Sequence, residues 1–121
     1  MTDMTVREGR APMSDGAEIF YKIWGNPNPE RRILLVHSLA MTADFWAETA
    51  AAGLAASAEV LAVDCRGHGR SSKPAGPYTV EQMADDLAAL MDQIGWESTA
   101  IAGASMGGCI SLTFAGRHPS R

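Results

Sequence analysis

The sequence predicts an α/β protein in which a doubly wound, mostly parallel sheet follows a β-hairpin at the N-terminal end. Two observations support this class. A strand-like segment follows an early turn signal, and three short apolar runs then alternate with three longer segments of helical character. No internal repeat, low-complexity tract or change of composition divides the 121 residues. We therefore expect residues 1–121 to belong to one domain whose strands are joined by right-handed crossovers.

The strands are predicted from turn signals and from runs of β-branched, aromatic and aliphatic residues. Ser14-Asp15-Gly16 is a turn signal, and the segment from Glu18 to Trp24 after it has the composition of the second arm of a hairpin. Short continuous apolar runs are typical of strands buried on both faces of a parallel sheet. Three such runs follow, at Arg32 to His37, Glu59 to Asp64 and Thr99 to Ala104.

The helices are predicted from apolar periodicity and from end signals. The segment from Thr42 to Ser57 is rich in alanine, with larger apolar residues at helical intervals. Between Thr79 and Ile94 a capping-box pattern precedes one apolar stripe, and Gly95 suits the C-terminal cap. The last helix runs from Met106 to His118 before Pro119. Its broad apolar surface predicts burial between the sheet and a further layer.

Charge and hydropathy exclude several classes of protein. A formal net charge of −4, without a cluster of Lys and Arg, argues against a nucleic-acid or anionic-lipid partner. Residues 1–12 contain no apolar segment of the signal-peptide type, and no apolar run is long enough to span a bilayer. We expect a cytoplasmic protein without a membrane partner, and its oligomeric state stays open. No pair of histidines has metal-ligand spacing, so no metal site is predicted.

The strongest chemical motif lies where the last apolar run meets the last predicted helix. Gly103-Ala104-Ser105-Met106-Gly107 matches the pattern G-x-S-x-G in the strand-to-helix context of a nucleophile elbow. Side chains at Gly103 and Gly107 would collide with the neighbouring strand and helix, whereas the serine projects above the sheet edge. The helix start also directs backbone N–H groups at the reaction centre. Ser105 is therefore the predicted nucleophile, in preference to a glycine-rich turn without catalysis.

A second segment, His37-Ser38-Leu39, ends the first apolar run at the same predicted edge of the sheet. We expect the backbone N–H groups of Leu39 and Met106 to face the carbonyl oxygen of a bound ester and to stabilise its developing negative charge. For His37 we favour a structural role, in which the ring hydrogen-bonds the loop backbone, over proton transfer.

The third cluster, Asp64 to Ser71, follows the second apolar run. A dinucleotide fingerprint requires Gly-x-Gly-x-x-Gly at the opening of a helix after the first strand, and Ser72 stands at the last position here, so a nucleotide site is rejected. We expect Asp64 and Arg66 to make charge-assisted hydrogen bonds that hold this loop beneath the floor of the site. No cofactor is implied, because the nucleophile and the donors are all protein groups.

In this order the three motifs resemble the α/β-hydrolase superfamily, and the resemblance extends from Glu18 to Arg121. Within it, three stretches are most similar to the enol-lactone hydrolases of aromatic degradation, such as oxoadipate enol-lactonase: Arg66-Gly67-His68-Gly69, Gly76-Pro77-Tyr78-Thr79 and Asp85-Asp86. Related esterases, carbon-carbon bond hydrolases and haloperoxidase-like members share much of the pattern. A serine at position 105 argues against dehalogenases and epoxide hydrolases, which carry an aspartate there. The resemblance implies hydrolysis of a small-molecule ester or lactone through an acyl-serine intermediate.

The resemblance also implies a catalytic triad in the order Ser, Asp or Glu, His. The residues after Ser105 include no Asp or Glu, and His118 lies at the far end of the predicted helix. We therefore expect the acid, the base, the remaining strands and any lid to lie beyond Arg121, so that this chain is a truncated N-terminal half of the domain, inactive and poorly folded alone. Three alternatives stay open: a non-catalytic ligand-binding member of the fold, a carbon-carbon bond hydrolase, and a natural short chain that acts with a partner.

Overall fold

The strands form one mixed sheet with a parallel centre. The structure, a computed structural model, describes residues 6–28, 30–47, 53–76 and 78–121. Within these ranges the sheet has the order β1-β2-β4-β3-β5, in which the strands are β1 (Val6–Pro12), β2 (Glu18–Trp24), β3 (Arg32–Val36), β4 (Glu59–Val63) and β5 (Ala100–Gly103). The three predicted crossover strands, β3, β4 and β5, pair in parallel, and the antiparallel hairpin joins them through β2 and β4. The predicted α/β sheet with its N-terminal hairpin is confirmed.

The first arm of the hairpin is a full strand whose bounds the sequence pattern did not indicate. β1 pairs with β2 from Val6 opposite Trp24 to Pro12 opposite Glu18. Ala11 is the buried residue of this strand, and exposed residues alternate with half-buried ones along the rest of it. The apolar alternation that marks a half-buried strand is therefore missing from its sequence.

Two long helices follow the parallel strands. α1 (Val80–Ile94) begins after Thr79, whose hydroxyl accepts the Gln82 N–H at 3.0 Å, and ends at Gly95 with φ 80°. α2 (Met106–Arg117) begins directly after Ser105 and ends one residue before the predicted bound. Both helices lie where the sequence predicts them. Across the described ranges, the structure has no helix that is both long enough and apolar enough to cross a membrane.

The segment predicted as a helix from Thr42 to Ser57 is only partly described. It begins with a 3-10 helix at Ala43–Trp46, before which the Thr42 hydroxyl accepts the Asp44 N–H at 3.2 Å. It ends with a helical turn at Ala55–Ser57. Residues 48–52 of the prediction lie outside the described residues. Both described ends are helical, and a single continuous helix stays a prediction.

The core lies on both faces of the sheet, because successive residues of a strand point to opposite sides. The larger cluster packs beneath α1 and α2 and includes Leu34, Val36, Leu61, Val63, Leu90, Met91, Ile110 and Phe114. The smaller cluster, on the opposite face, includes Trp24, Leu35, Ala43, Val60 and Ala62. Since β3 and β4 contribute to both clusters, they are buried on both sides, as continuous apolar runs predict.

One face of α2 is uncovered within the described residues. Ile110 and Phe114 are buried, whereas Leu112 is 77% exposed. β5, the strand before this helix, pairs with β3 on one side, and its Ala100 and Ala102 are exposed. The expected burial of α2 between the sheet and a further layer is therefore wrong for the described residues, which leave Leu112 on its outer side exposed.

Candidate active site

Ser105 lies on a strained turn between β5 and α2. Its backbone has φ 54° and ψ −111°, a conformation that costs a non-glycine residue about 1–3 kcal/mol. Backbone hydrogen bonds hold the turn: the Ala104 N–H donates to the Val36 carbonyl at 3.1 Å, the Gly107 N–H donates to the Ala104 carbonyl at 2.9 Å, and the Gly108 N–H donates to the Ser105 carbonyl at 2.9 Å. Ser105 is exposed, and its side chain makes no capping hydrogen bond to α2. The hydroxyl is thus presented at the carboxyl edge of the parallel strands, where ligands bind in such sheets.

Two glycines of the motif are required by close backbone contacts. A Cβ atom on Gly107 would overlap the carbonyl oxygens of Val36 and His37 at the end of β3. A Cβ atom on Gly103 would overlap the Gly107 backbone in the first turn of α2. By contrast, a Cβ atom on Gly108 would lie 3.6 Å from the Gly103 carbonyl oxygen, an ordinary contact. Gly103 and Gly107 therefore allow α2 to begin against β3 and β5, and Gly108 is not needed for this approach.

The loop after β3 turns sharply near the N-terminal end of α2. Ala40 has φ 65°, and the Met41 N–H donates to the Ser38 carbonyl at 3.1 Å. Leu39 is 69% exposed, and its N–H donates to no backbone carbonyl of the described residues. As the first residue of α2, Met106 has no intrahelical acceptor for its N–H. Leu39 and Met106 line one cavity of about 220 Å³, so the loop and the helix start lie side by side.

His37 is fully buried and joins the end of β3 to the end of β4. The Cys65 N–H donates to Nε2 at 2.9 Å, so Nδ1 carries the ring proton and donates to the Ser38 carbonyl at 2.7 Å. Burial lowers the pKa of His37 below its ordinary value of 6.5, and the hydrogen bond to Ser38 opposes this shift. Both nitrogens of the neutral ring therefore have backbone partners, and neither is free to transfer a proton.

Asp64 is fully buried, and loop donors use both of its carboxylate oxygens. Oδ1 accepts the Ala43 N–H at 2.7 Å, and Oδ2 accepts the backbone N–H and the Nε of Arg70 at 2.8 and 3.1 Å. A Cβ atom on Gly69, where φ is 51°, would overlap this carboxylate. The Ser71 hydroxyl donates to the Asp64 carbonyl at 2.5 Å. Asp64 therefore fixes the loops after β3 and β4 relative to each other.

Arg66 forms a buried ion pair beneath the loop after β4. Its Nε and Nη2 donate to Asp86 at 2.9 and 2.8 Å, and its Nη1 donates to Asp15 at 2.7 Å. The side chains of Arg66 and Asp86 are each 4% exposed. Hydrogen bonding to Asp86 raises the pKa of Arg66, and hydrogen bonding to Arg66 lowers the pKa of Asp15. Through Asp86 and Asp15, Arg66 therefore connects the loop after β4 to α1 and to the hairpin turn.

An Asp-His pair in the described chain lies far from Ser105. Asp85 accepts from Arg117 at 2.9 and 2.7 Å and lies 3.0 Å from Nε2 of His118, which joins the C-terminal end of α2 to α1. The hydrogen bond from Arg117 lowers the pKa of Asp85. α2 has 12 residues, so its two ends are about 18 Å apart at about 1.5 Å per residue. This pair is therefore too distant to serve Ser105 as acid and base.

Sequence reasoning missed three polar residues that support the site. Ser71 accepts the Phe20 N–H at 2.8 Å and so attaches the loop after β4 to the hairpin. The sequence predicts Asp15 only as part of a turn, and Asp86 only as part of the stretch that resembles the enol-lactone hydrolases. One signal was available for Asp86, because a carboxylate within the apolar stripe of α1 indicates a buried ionic partner. For a metal, no group of three or more His, Cys, Asp or Glu comes together in the described ranges.

The fold and the elbow together define a class of protein, a strand-turn-helix serine site at the carboxyl edge of an α/β sheet. A family model described as the alpha/beta hydrolase fold matches residues 31–121. The chain therefore belongs to the α/β-hydrolase family, and the resemblance of its motifs to that family is confirmed.

Individual relatives agree with this assignment. A non-heme chloroperoxidase of Kitasatospora aureofaciens is 34% identical over 104 residues, which cover 86% of this chain and 37% of that protein. A bifunctional esterase/perhydrolase of Acinetobacter calcoaceticus is 32% identical, over 93% of this chain and 40% of that protein. The solved structure of the enol-lactonase from Burkholderia xenovorans LB400 has a TM-score of 0.86 and 37% identity, over 93% of this chain and 43% of that chain. The chain thus spans about two fifths of the length of these proteins.

Proposed function

We propose that the protein is a serine hydrolase that cleaves a small-molecule ester or lactone through an acyl intermediate on Ser105. The observation that carries this proposal is the exposed serine at φ 54°, presented on a turn that close backbone contacts hold in place. Strained non-glycine backbone persists where the surroundings enforce it, and it concentrates at functional sites. A structural turn at this position would be served as well by a glycine.

In the first half of the proposed reaction, the Ser105 oxygen attacks the carbonyl carbon of the bound ester or lactone while a base takes the hydroxyl proton. The carbonyl oxygen becomes negative and accepts hydrogen bonds from the N–H groups of Leu39 and Met106. The tetrahedral intermediate then collapses, the proton passes from the base to the leaving oxygen, and the acyl group stays on Ser105. For a lactone the leaving oxygen remains attached, since the ring has opened.

In the second half the same base removes a proton from water, and the hydroxide attacks the acyl carbon. Collapse of the second tetrahedral intermediate returns the proton to the Ser105 oxygen and releases the carboxylic acid. His37, Asp64 and Arg66 take no proton in this scheme. Their proposed role is to fix the positions of the two N–H groups and the elbow relative to each other, through the hydrogen bonds and the buried ion pair described above.

The base and its orienting carboxylate are assigned to residues outside the 121 of this chain. Sites of this fold use the chain order Ser, Asp or Glu, His, and residues 106–121 hold no Asp or Glu. Asp85 and His118 are paired with each other at the far end of α2. The relatives described above are more than twice as long as the matched region, which leaves room for both groups.

The names of the relatives favour an ester or lactone as the substrate. Two of them are an esterase/perhydrolase and an enol-lactonase, and both kinds of substrate present a carbonyl carbon bonded to an ester oxygen. The serine elbow with two N–H donors matches that chemistry, because the charge to be stabilised develops on a carbonyl oxygen.

The test is the hydrolysis of short p-nitrophenyl esters and of a simple enol lactone by the natural polypeptide that contains this sequence. Ser105→Ala is expected to lower kcat by about 10⁴-fold or more, because the nucleophile is lost while the N–H donors remain. Ser98→Ala, a change at an exposed serine away from the elbow, is the matched control and is expected to have no effect. Equal rates for the two variants would contradict the proposal, and saturable ester binding without turnover would indicate a non-catalytic binding protein.

A further inference from the structure

A second feature of the site is the cavity between the elbow and α1. Its volume is about 220 Å³, and we name it the α1-side pocket after the helix that closes one wall. The loop after β3 and the start of α2 form the other walls. The lining residues that matter here are Leu39, His68, Tyr78, Val80, Met83 and Met106.

The α1-side pocket is directly continuous with the proposed oxyanion donors. Leu39 and Met106, whose N–H groups are the proposed donors, both line the pocket. A group in the pocket therefore lies next to the carbonyl that these donors would hold. Leu39 is 69% and Tyr78 is 43% exposed, so the mouth opens to solvent, whereas Met83 at 6% forms the closed interior.

The pocket offers mostly apolar surface, and the permanently charged cation among its described lining residues is already paired. Arg66 contributes to its lining, but Asp86 and Asp15 use its guanidinium. The Nδ1 of His68 lies 3.1 Å from the Arg66 carbonyl oxygen, so one nitrogen of that ring is engaged within its own loop. A carboxylate placed here would lose water without gaining a charged partner. The lining of the pocket therefore favours an uncharged apolar group.

The volume sets the size of that group. An apolar cavity of about 150 Å³ in a protein core holds a benzene molecule. By that measure the α1-side pocket holds one ring or a short branched or linear chain, and it is too small for a long acyl chain.

The path of the proton in the reaction indicates whether the acyl group or the leaving group of the substrate occupies the α1-side pocket. The leaving oxygen must receive a proton from the base, so the leaving group lies on the side of Ser105 where the base lies. Among the described residues, the pocket walls on the α1 side hold no histidine paired with a carboxylate that could serve as this base. The leaving group must also escape before water enters. A pocket that is closed at its inner end suits the acyl group, which stays on Ser105 through both halves of the reaction.

We propose that the α1-side pocket binds the acyl group of the substrate, that this group is a compact uncharged apolar one of about the size of a phenyl ring, and that Val80 and Met83 set its upper size. This inference rests on the proposed hydrolase function and specifies its substrate class. It makes Val80 and Met83 specificity-determining residues, although neither of them takes part in the chemistry.

The kinetic test uses p-nitrophenyl esters whose acyl groups increase from acetyl through butanoyl to phenylacetyl and decanoyl. With the natural polypeptide, kcat/KM is expected to rise to phenylacetyl and then to fall. Val80→Phe, which fills the pocket, is expected to lower kcat/KM for phenylacetyl at least about tenfold, because one excluded methylene changes discrimination by about that factor. The loss for acetyl is expected to be smaller, so that the ratio of kcat/KM for phenylacetyl to kcat/KM for acetyl falls. Val80→Ala is expected to move the optimum to a longer chain.

The matched control is Glu81→Phe, which adds the same ring to the same helical turn at an exposed residue outside the pocket. It is expected to leave the acyl profile unchanged. The acyl assignment is overturned if Val80→Phe affects all acyl groups equally, or if it instead changes the dependence on the alcohol in a series of acetate esters.

A binding measurement separates this inference from the proposed function. Toluene is titrated into protein with ¹³C-labelled methionine methyl groups, and saturable shifts are expected at Met83 and Met106 and not in Val80→Phe. Shifts without ester hydrolysis would overturn the acyl assignment together with the hydrolase proposal while locating an apolar site. Hydrolysis with no shift, or with shifts that persist in Val80→Phe, would refute the claim that the α1-side pocket binds the acyl group. The hydrolase proposal would be unaffected.

Discussion

Gly107 and Gly108 are adjacent glycines in the first turn of α2, and alanine substitutions there are expected to have opposite effects. An alanine Cβ at position 107 would overlap two backbone carbonyl oxygens, those of Val36 and His37, which belong to the sheet and its loop. Backbone atoms of a central strand yield less readily than the end of a flexible side chain, so the overlap is expected to cost about 3 kcal/mol. The gain in helix propensity offsets only about 1 kcal/mol of this cost.

At position 108 the Cβ atom meets its nearest neighbour at 3.6 Å, an ordinary van der Waals contact. Gly108→Ala is therefore expected to keep the gain in helix propensity of about 1 kcal/mol. The assay is urea unfolding of the natural polypeptide and the two variants, followed by far-ultraviolet circular dichroism. We expect the free energies of unfolding of the two variants to differ by about 3 kcal/mol, with Gly107→Ala below and Gly108→Ala above the natural protein. Equal stabilities would refute the steric account of the elbow.

Two further predictions concern the groups beneath the site. Because burial lowers the pKa of His37, its neutral form is favoured in the folded state, so the free energy of unfolding is expected to fall as the pH drops below 6.5. His37→Gln should reduce this slope below pH 6.5, measured by urea unfolding at each pH, and an unchanged slope would contradict the buried neutral ring. Asp86→Ala should lower the free energy of unfolding by about 3 kcal/mol, at the lower end of the range for breaking a buried pair because Asp15 remains beside Arg66. The double variant Arg66→Met, Asp86→Leu should recover much of this loss, and a double variant less stable than Asp86→Ala would refute the argument.

The fold could be predicted where a local pattern fixes a local structure. The run before the elbow is short and weakly apolar, yet β5 forms there because Gly103 and Gly107 permit an approach that other residues forbid. The capping box at Thr79 and the glycine at position 95 define both ends of α1 for equally local reasons.

The features that escaped prediction depend on distant parts of the chain. Arg66 meets Asp15 across 51 positions and Asp86 across 20, and no local pattern encodes such separations. Ala40 adopts φ 65° although alanine carries no signal for positive φ, so the loop beside Leu39 was indicated only by its place after a strand. The exposed face of α2 escaped prediction because a broad apolar surface indicates a covering layer without indicating where that layer comes from.

The most direct test of the central claim, that Ser105 is the residue acylated during turnover, is to locate the covalent adduct. The natural polypeptide is treated with a fluorophosphonate and, separately, quenched in acid during turnover of a slow ester, and its peptides are mapped by mass spectrometry. We expect one adduct per chain in both samples, on the peptide that contains Ser105, and none in Ser105→Ala. An adduct on another residue, or turnover without an adduct on Ser105, would contradict the account.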